Sequence, residues 1–581
     1  LENITKLSFS SIETNLEKKE KLINFINDSF EISDEIILPT QTTYYKIDND
    51  RDIDVSYTVN GFHNEDFTTF SSSLNTSINT GVYPENNLII SEPMVFRGLL
   101  VKQVTFIPYR IDFENQTVEV YDDVEIEVEE YITDEIRNYS QNKLSKMFEP
   151  LYEDMIINYV ASDRDEDYQQ PSVLYICGGS SLDNPYVQQL LEWRHKTGYI
   201  VNAVTTNEIG SSNANTIKNY LVDAYENWEN PPEIVGLIGD TSGSYSIGYF
   251  TENWSGYSGE GDLPYSQLDG DDFLPEVFIG RLSVSSSSSL SNVINKALIY
   301  ERATYLSSDS DWYERAALCG DPSSSGWSTV ITNEYIGNIL ESYGFDDVHG
   351  NYGNGNYENW MENELEDGCL YMNYRGYYGA SGFGSSEING ANNSYKTPFA
   401  VFITCGTGNF SGTSLSEDLY RAGSVSNPKG AVAAVGTATT GTHTLFNNIV
   451  NMGIYDGIFP KGITNAGGAM AGGRLAIHWT YPSNPNNWVG IFSHWTNLIG
   501  DPALELWTDT PQVMEADFLS TIDWGTNFID VHVVDEDGIG VQNANITLLK
   551  GDDEIFKTIQ TNYLGEATID LDYEEAGQVL L

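Results

Sequence analysis

"FAVFITCGTGNF" (residues 399–410) starts as an unbroken apolar run and stops at Cys405, with glycines at 406 and 408. Apolar residues with no polar alternation mark a strand buried on both faces, as in a parallel sheet covered by helices. The same signature recurs in "SVLYICGG" (172–179), "PEIVGLIGD" (232–240), "EVFIGRLS" (276–283), "RAALCGD" (315–321), "CLYMNYRG" (369–376) and "GAVAAVGTA" (430–438). Amphipathic stretches such as "NPYVQQLLEWRHKTG" (184–198) and "LSNVINKALIYERATY" (290–305) lie between some of these runs. Strands alternating with such helices predict an α/β domain over residues 166–508, with functional groups at strand ends. Neither GxGxxG nor GxxxxGK[ST] follows any of the strands, which argues against nucleotide binding.

The flanks read differently. In "VEIEVEE", Val124, Ile126 and Val128 alternate with glutamates, the mark of a strand with one wet face. Residues 1–165 are therefore expected to be mostly β, with "SDRDEDYQQP" (162–171) as a linker. After "GDPALELWTDTP" (500–511) alternating strands return, broken at Asp537-Gly538 and Leu564-Gly565. Residues 509–581 are expected to form a small immunoglobulin-like sandwich, incomplete at its end.

Composition narrows the function. The chain has 581 residues, with 28 Lys plus Arg against 85 Asp plus Glu, a net charge of −57. Such a surface repels phosphate backbones and anionic lipid, so nucleic acid is not an expected partner. No run approaches the roughly 18 apolar residues of a membrane helix, so no membrane insertion is expected. Leu1 in place of Met, with no signal peptide, reads as a processed mature chain, and the Tyr-, Asn- and Ser-rich composition as secreted or cell-surface. Four cysteines (Cys177, Cys319, Cys369, Cys405) form no CxxC pair, so structural zinc is not expected, and the first three read as buried free thiols.

The ordered stretches "VLYICGG", "LPYSQLDGDDFLPEVFIGRLSV", "YMNYRGYYGASGF", "VFITCGTGNF", "GAVAAVGTATTGTHTLFNN" and "LIGDPALELWT" resemble the gingipain-type cysteine peptidases, family C25 of the caspase-like clan. The resemblance implies a caspase-like, largely parallel sheet flanked by helices. It also implies a pro-region in the first domain, where "MVFRGLLVKQVTFIPYRID" (94–112) falls, and an immunoglobulin-like module at the end. It places the nucleophile at Cys405, and backbone donors of an oxyanion hole at Cys405 and Tyr378. The family's catalytic histidine belongs to a strand-end "GHG". Here the stretch is "NYRGYYG" (373–379), and Tyr377 stands at that position. A phenol of ordinary pKa near 10 is a poor substitute for imidazole at neutral pH.

Of the seven histidines (His63, His195, His349, His443, His478, His494, His532), only His443 lies just beyond a core strand expected near Cys405. It is the candidate substitute base, with a structural or substrate-contact role as the alternative. The loop that holds Thr442 and His443 lines the family's primary specificity pocket. Asp272 falls where arginine-specific members keep a pocket carboxylate. Together with Asp269 and Asp271 it alternatively forms a structural Ca²⁺ site or a solvated turn. No cofactor is required for the chemistry. The functional expectation is a secreted cysteine endopeptidase acting on protein or peptide substrates through a Cys405 thiolate. The alternative is a catalytically impaired pseudo-peptidase serving in structure, adhesion or binding, as a cell-surface tether or in self-assembly.

Overall fold

A computed structural model of the chain describes residues 38–68, 80–134, 137, 139, 142–162, 164, 166–270, 272–484, 487–523, 525–551, 553–571 and 577–581 in full, with the backbone of 4–10, 29–33, 36–37 and 165. The first domain is built from antiparallel strands. Arg51–Glu65 pairs with Thr117–Ile132, and Ile36–Ile47 with Leu99–Phe106. Val124, Ile126 and Val128 are buried as their alternation requires, while the intervening glutamates face outward. The 162–171 stretch is less free than its composition predicts. Tyr168 and Gln169 are buried, and Gln169 Nε2 donates to the Pro231 carbonyl at 3.0 Å.

The central domain is one ten-stranded sheet. Its strands in chain order are β1 (Ser172–Cys177), β2 (Ile200–Thr205), β3 (Ile234–Ile238), β4 (Phe278–Leu282), β5 (Arg315–Gly320), β6 (Asp347–Tyr352), β7 (Tyr371–Arg375), β8 (Phe399–Phe402), β9 (Ala433–Thr437) and β10 (Thr496–Ile499). Their spatial order is β2-β1-β3-β4-β10-β9-β8-β7-β5-β6. Every neighbouring pair is parallel except β9 and β10. β10 runs antiparallel to β9 and meets β4 through one residue pair, Arg281 with Ile499. The Thr241 hydroxyl, past the end of β3, donates to the Phe410 carbonyl at 3.4 Å, and Arg421 meets Asp240 at 2.8 Å, so the carboxyl ends of β3 and β8 meet at one edge. All residues of β1, β3, β4, β7, β8 and β9 are buried, as the apolar runs predict.

Helices α1 (Pro185–Lys196), α2 (Ser287–Glu301), α3 (Leu415–Arg421), α4 (Thr444–Ile458) and α5 (Ala466–Thr480) help to cover the sheet. The first half is pinned by a buried ionic cluster. Arg194 on α1 donates to Glu301 at 2.8 Å and to Asp501 at 2.7 Å, and the Tyr175 hydroxyl bonds Asp501 at 3.0 Å. These three charged side chains are between 1% and 4% exposed, so removing the cation leaves two carboxylates without compensation. Arg194→Leu is expected to lower unfolding free energy by about 3–5 kcal/mol, measured by chemical denaturation.

The first domain and the sheet share one core. Phe96, Leu99, Val101, Phe148, Leu151, Tyr152 and Met155 pack with Val173, Tyr175 and Phe278, and Phe148 stacks on Phe278 at 4.1 Å. Arg97, whose guanidinium lies over the Phe148 ring at 5.1 Å, is buried and donates to the carbonyls of Pro232 (2.9 Å) and Glu276 at the feet of β3 and β4. At the far end, two small antiparallel sheets enclose Ile529, Val531, Val533, Ile546, Leu548, Ile555 and Ile569. This unit docks on α1, where His195 meets Asp553 at 3.0 Å and stacks on Phe556 at 4.5 Å. Among the described residues no helix is long and apolar enough to cross a membrane.

Candidate active site

Cys405 lies just past the end of β8, on a turn that its neighbours shape. Gly406 takes φ +80° and donates its N–H to the Thr439 carbonyl at 2.7 Å. A Cβ on Gly408 would fall 2.5 Å from the Gly436 carbonyl carbon, so only glycine lets the turn press against β9. The backbone of Tyr378 pairs with that of Cys405 in a parallel bridge. The Gly379 N–H donates to the Cys405 carbonyl at 2.9 Å, and the Thr404 hydroxyl to the Gly379 carbonyl at 2.5 Å. The loops after β7 and β8 are thereby stitched together at the sheet edge.

The four thiols differ. Cys177, Cys319 and Cys369 are 0% exposed and bear out the reading as buried free thiols, whereas Cys405 is 8% exposed. Burial raises the Cys405 pKa above its ordinary value, opposed by the Thr442 backbone N–H donated to the sulfur and by the charge of Arg375. Thr442 is therefore beside the cysteine, with its hydroxyl donating to Asn447 Oδ1 at 2.5 Å.

His443 is the N-cap of α4, and its Nδ1 accepts the Leu445 N–H at 3.2 Å. That bond commits Nδ1 as an acceptor, so the neutral ring carries its proton on Nε2. Partial burial pulls its pKa below the ordinary imidazole value. His478 and His494 are buried away from solvent and pushed down to about 4. Tyr377 and Tyr378 stand at the rim, 61% and 63% exposed, so the position next to the cysteine is open to solvent.

Asp269 and Asp272 lie at another place in the fold. Asp272 accepts the Val95 N–H at 2.9 Å and the Leu274 N–H at 2.8 Å, which places its carboxylate at the seam with the first domain. The Asp269 N–H donates to buried Glu276 at 3.2 Å. Asp271 lies outside the described residues. Among the described residues no three His, Cys, Asp or Glu side chains are grouped to hold a metal ion. A position read by spacing as a pocket carboxylate is thus engaged with one backbone donor of the first domain, Val95, and one of its own loop, Leu274.

The sequence reading missed Arg375, the last residue of β7. It is fully buried and donates to Asn448 Oδ1 through Nε (2.9 Å) and Nη2 (2.6 Å), to the Ile403 carbonyl, and to the Thr444 carbonyl at 3.4 Å. A charged residue closing the otherwise uncharged buried run "CLYMNYRG" was the available signal.

The sequence pattern of peptidase family C25 matches residues 166–507. Gingipain R2 of Porphyromonas gingivalis is 25% identical over 462 residues, covering 74% of this chain and 60% of the relative. Lys-gingipain HG66 of the same organism is 26% identical over 437 residues, covering 69% of this chain and 24% of the relative. The chain thus spans 60% or less of these relatives' lengths. The crystal structure of the Arg-specific cysteine proteinase gingipain R superimposes with a TM-score of 0.60 at 23% identity, over 71% of this chain and 94% of that one. A complex of the pro- and mature domains of RgpB from P. gingivalis gives 0.59 at 23% identity, over 69% and 93%. At these identities the likeness is one of fold, the caspase-like α/β arrangement expected from the sequence. The family pattern covers more than half of the chain, including the strand end that carries Cys405, and the chain belongs to peptidase family C25.

Proposed function

We propose that this protein is a secreted or cell-surface thiol endopeptidase with Cys405 as nucleophile. The observation that carries this reading is that Cys405 alone of the four thiols is not sealed in the core and receives a backbone N–H on its sulfur. The thiolate attacks the peptide carbonyl carbon. The oxyanion is held by the backbone N–H groups of Cys405 and Tyr378, the amine leaves with a proton, and water hydrolyses the thioester. His443 serves as proton carrier after releasing its cap bond to Leu445, at a cost of about 1 kcal/mol. Thr442 borders the pocket for the substrate side chain. The small closing β unit is read as an immunoglobulin-like module suited to tethering or assembly.

A second reading has its own support: the exposed tyrosines at 377 and 378, and the engagement of His443 Nδ1, favour a pseudo-peptidase that binds without cutting. Labelling with a thiol-directed peptidyl inactivator separates the two. Active enzyme is expected to label at Cys405, and His443→Ala to label about 10²-fold more slowly while losing about 1 kcal/mol of stability. An unchanged labelling rate in His443→Ala would leave that histidine as a helix cap only. Absence of any labelling at Cys405 would favour the binding protein.

A further inference from the structure

Arg375 is a buried cation with no carboxylate to answer it. Its hydrogen bonds go to the neutral oxygens of Asn448, Ile403 and Thr444, and none of the ion pairs among the described residues includes it. The buried arginines at 194 and 281 are each paired with a carboxylate at 2.7 Å, whereas buried Arg97 and Arg474 donate to carbonyl oxygens, as Arg375 does. Leaving a guanidinium without counter-charge in the interior costs several kcal/mol. An anion within reach would offset that cost.

The position of Arg375 identifies that anion. Its Nη1 holds the carbonyl of Ile403, two residues before Cys405, and its Nη2 reaches the carbonyl of Thr444, two residues after the Thr442 N–H that meets the sulfur. Guanidinium and thiol are thus held between the same two segments, the end of β8 and the start of α4. The acids whose charge acts on Arg375 are the Tyr374 phenol and the Cys405 thiol. Burial raises the Tyr374 phenol far above neutrality, and its hydroxyl bonds Ser381 at 2.7 Å. Asp321, beyond it, is engaged with Ser381 and Ser323. His443 faces its own helix end, and Tyr377 and Tyr378 face solvent. Cys405 is the acid left to supply a negative charge, against the burial that raises its pKa.

We propose that Arg375 is the fixed counter-cation of a Cys405 thiolate, taking the place of the imidazolium that normally pairs with a catalytic cysteine. The proposal rests on the peptidase reading of Cys405. Arg375 is a positioning residue: a guanidinium does not accept the thiol proton, which leaves to solvent before substrate arrives. Its effect is to shift the thiol–thiolate equilibrium. The dipole of α4, whose amino end lies at Thr444, acts in the same direction.

The test is the pH dependence of iodoacetamide alkylation at Cys405, resolved from the other thiols by peptide mass spectrometry, in the full chain. In Arg375→Met the alkylation midpoint is expected to rise by at least about one pH unit, so thiolate at pH 7 falls about tenfold. Arg375→Lys is expected to retain most of the wild-type midpoint. Asn448→Asp keeps the arginine but gives it a carboxylate, and is expected to move the midpoint upward as well. A folded Arg375→Met with the wild-type midpoint overturns the proposal. Should Arg375→Met not fold, an unshifted midpoint in Asn448→Asp overturns it instead. A chain that shows these shifts yet cleaves no peptide leaves the thiolate–guanidinium pair standing and removes only the peptidase reading.

Discussion

Cys405→Ala is expected to abolish peptide hydrolysis, with kcat/KM falling at least about 10⁴-fold, because no other thiol is exposed enough to substitute. The variant should fold as the wild type does, since the side chain it shortens is small and sits at the surface edge of the sheet. The companion substitution is Tyr377→His. Residue 377 precedes the backbone bridge between 378 and 405, and its side chain is 61% exposed, so an imidazole fits there without repacking. A base beside the thiol typically contributes 10²–10⁴-fold, and Tyr377→His is expected to raise kcat/KM at pH 7 by about 10² or more. Both effects are read from hydrolysis of a fluorogenic peptide mixture. Residual wild-type-like activity in Cys405→Ala would remove the nucleophile assignment. A Tyr377→His variant that is folded but no faster would place the family's histidine function elsewhere in this chain.

Deleting residues 1–165 is expected to unfold the remainder rather than activate it. Seven apolar side chains of the first domain, Phe96, Leu99, Val101, Phe148, Leu151, Tyr152 and Met155, are at most 6% exposed and belong to the same core as β1 and β4. At about 1.5–3 kcal/mol each, their loss is on the order of 10–20 kcal/mol. That equals or exceeds the whole stability of an ordinary domain, about 5–15 kcal/mol. The deletion also strips polar partners. Buried Glu233 loses the Ser145 hydroxyl, and Asp272 loses the Val95 N–H. The expected outcome is an aggregating fragment without a cooperative thermal transition. A soluble fragment of residues 166–581 with a sharp transition would show that the shared core is dispensable. Cleavage near residue 163 in the intact protein, by contrast, should leave two pieces that elute together in size exclusion, because the core holds them after the peptide bond is cut.

The strands could be read because burial on both faces leaves a local trace. "VLYIC", "IVGLI" and "FAVF" are apolar at every position, and all three are fully buried. The alternation at Val124, Ile126 and Val128 was equally legible, and so was the cysteine at a strand end. Strand direction was not. Between β9 and β10 the chain passes through α4, α5 and a further helix, Trp488–Trp495, and returns antiparallel. A pattern of apolar residues is the same whichever way a strand runs, so the reversal of β10 against β9 left no mark in it.

The site divides along the same line. Residue type and order alone determined that a thiol follows a buried strand and that Thr442 and His443 follow the next strand, while the resemblance to gingipain-type peptidases set Tyr377 at the position where a histidine was expected. Only the folded chain decided that Asp272 answers Val95 across a domain seam, that His443 caps a helix, and that Arg375 lies buried between Ile403 and Thr444 with no carboxylate. Side-chain chemistry is carried by each residue by itself. Which charge meets which partner, and how much water is left between them, depends on segments far apart in sequence, and those meet only when the core closes.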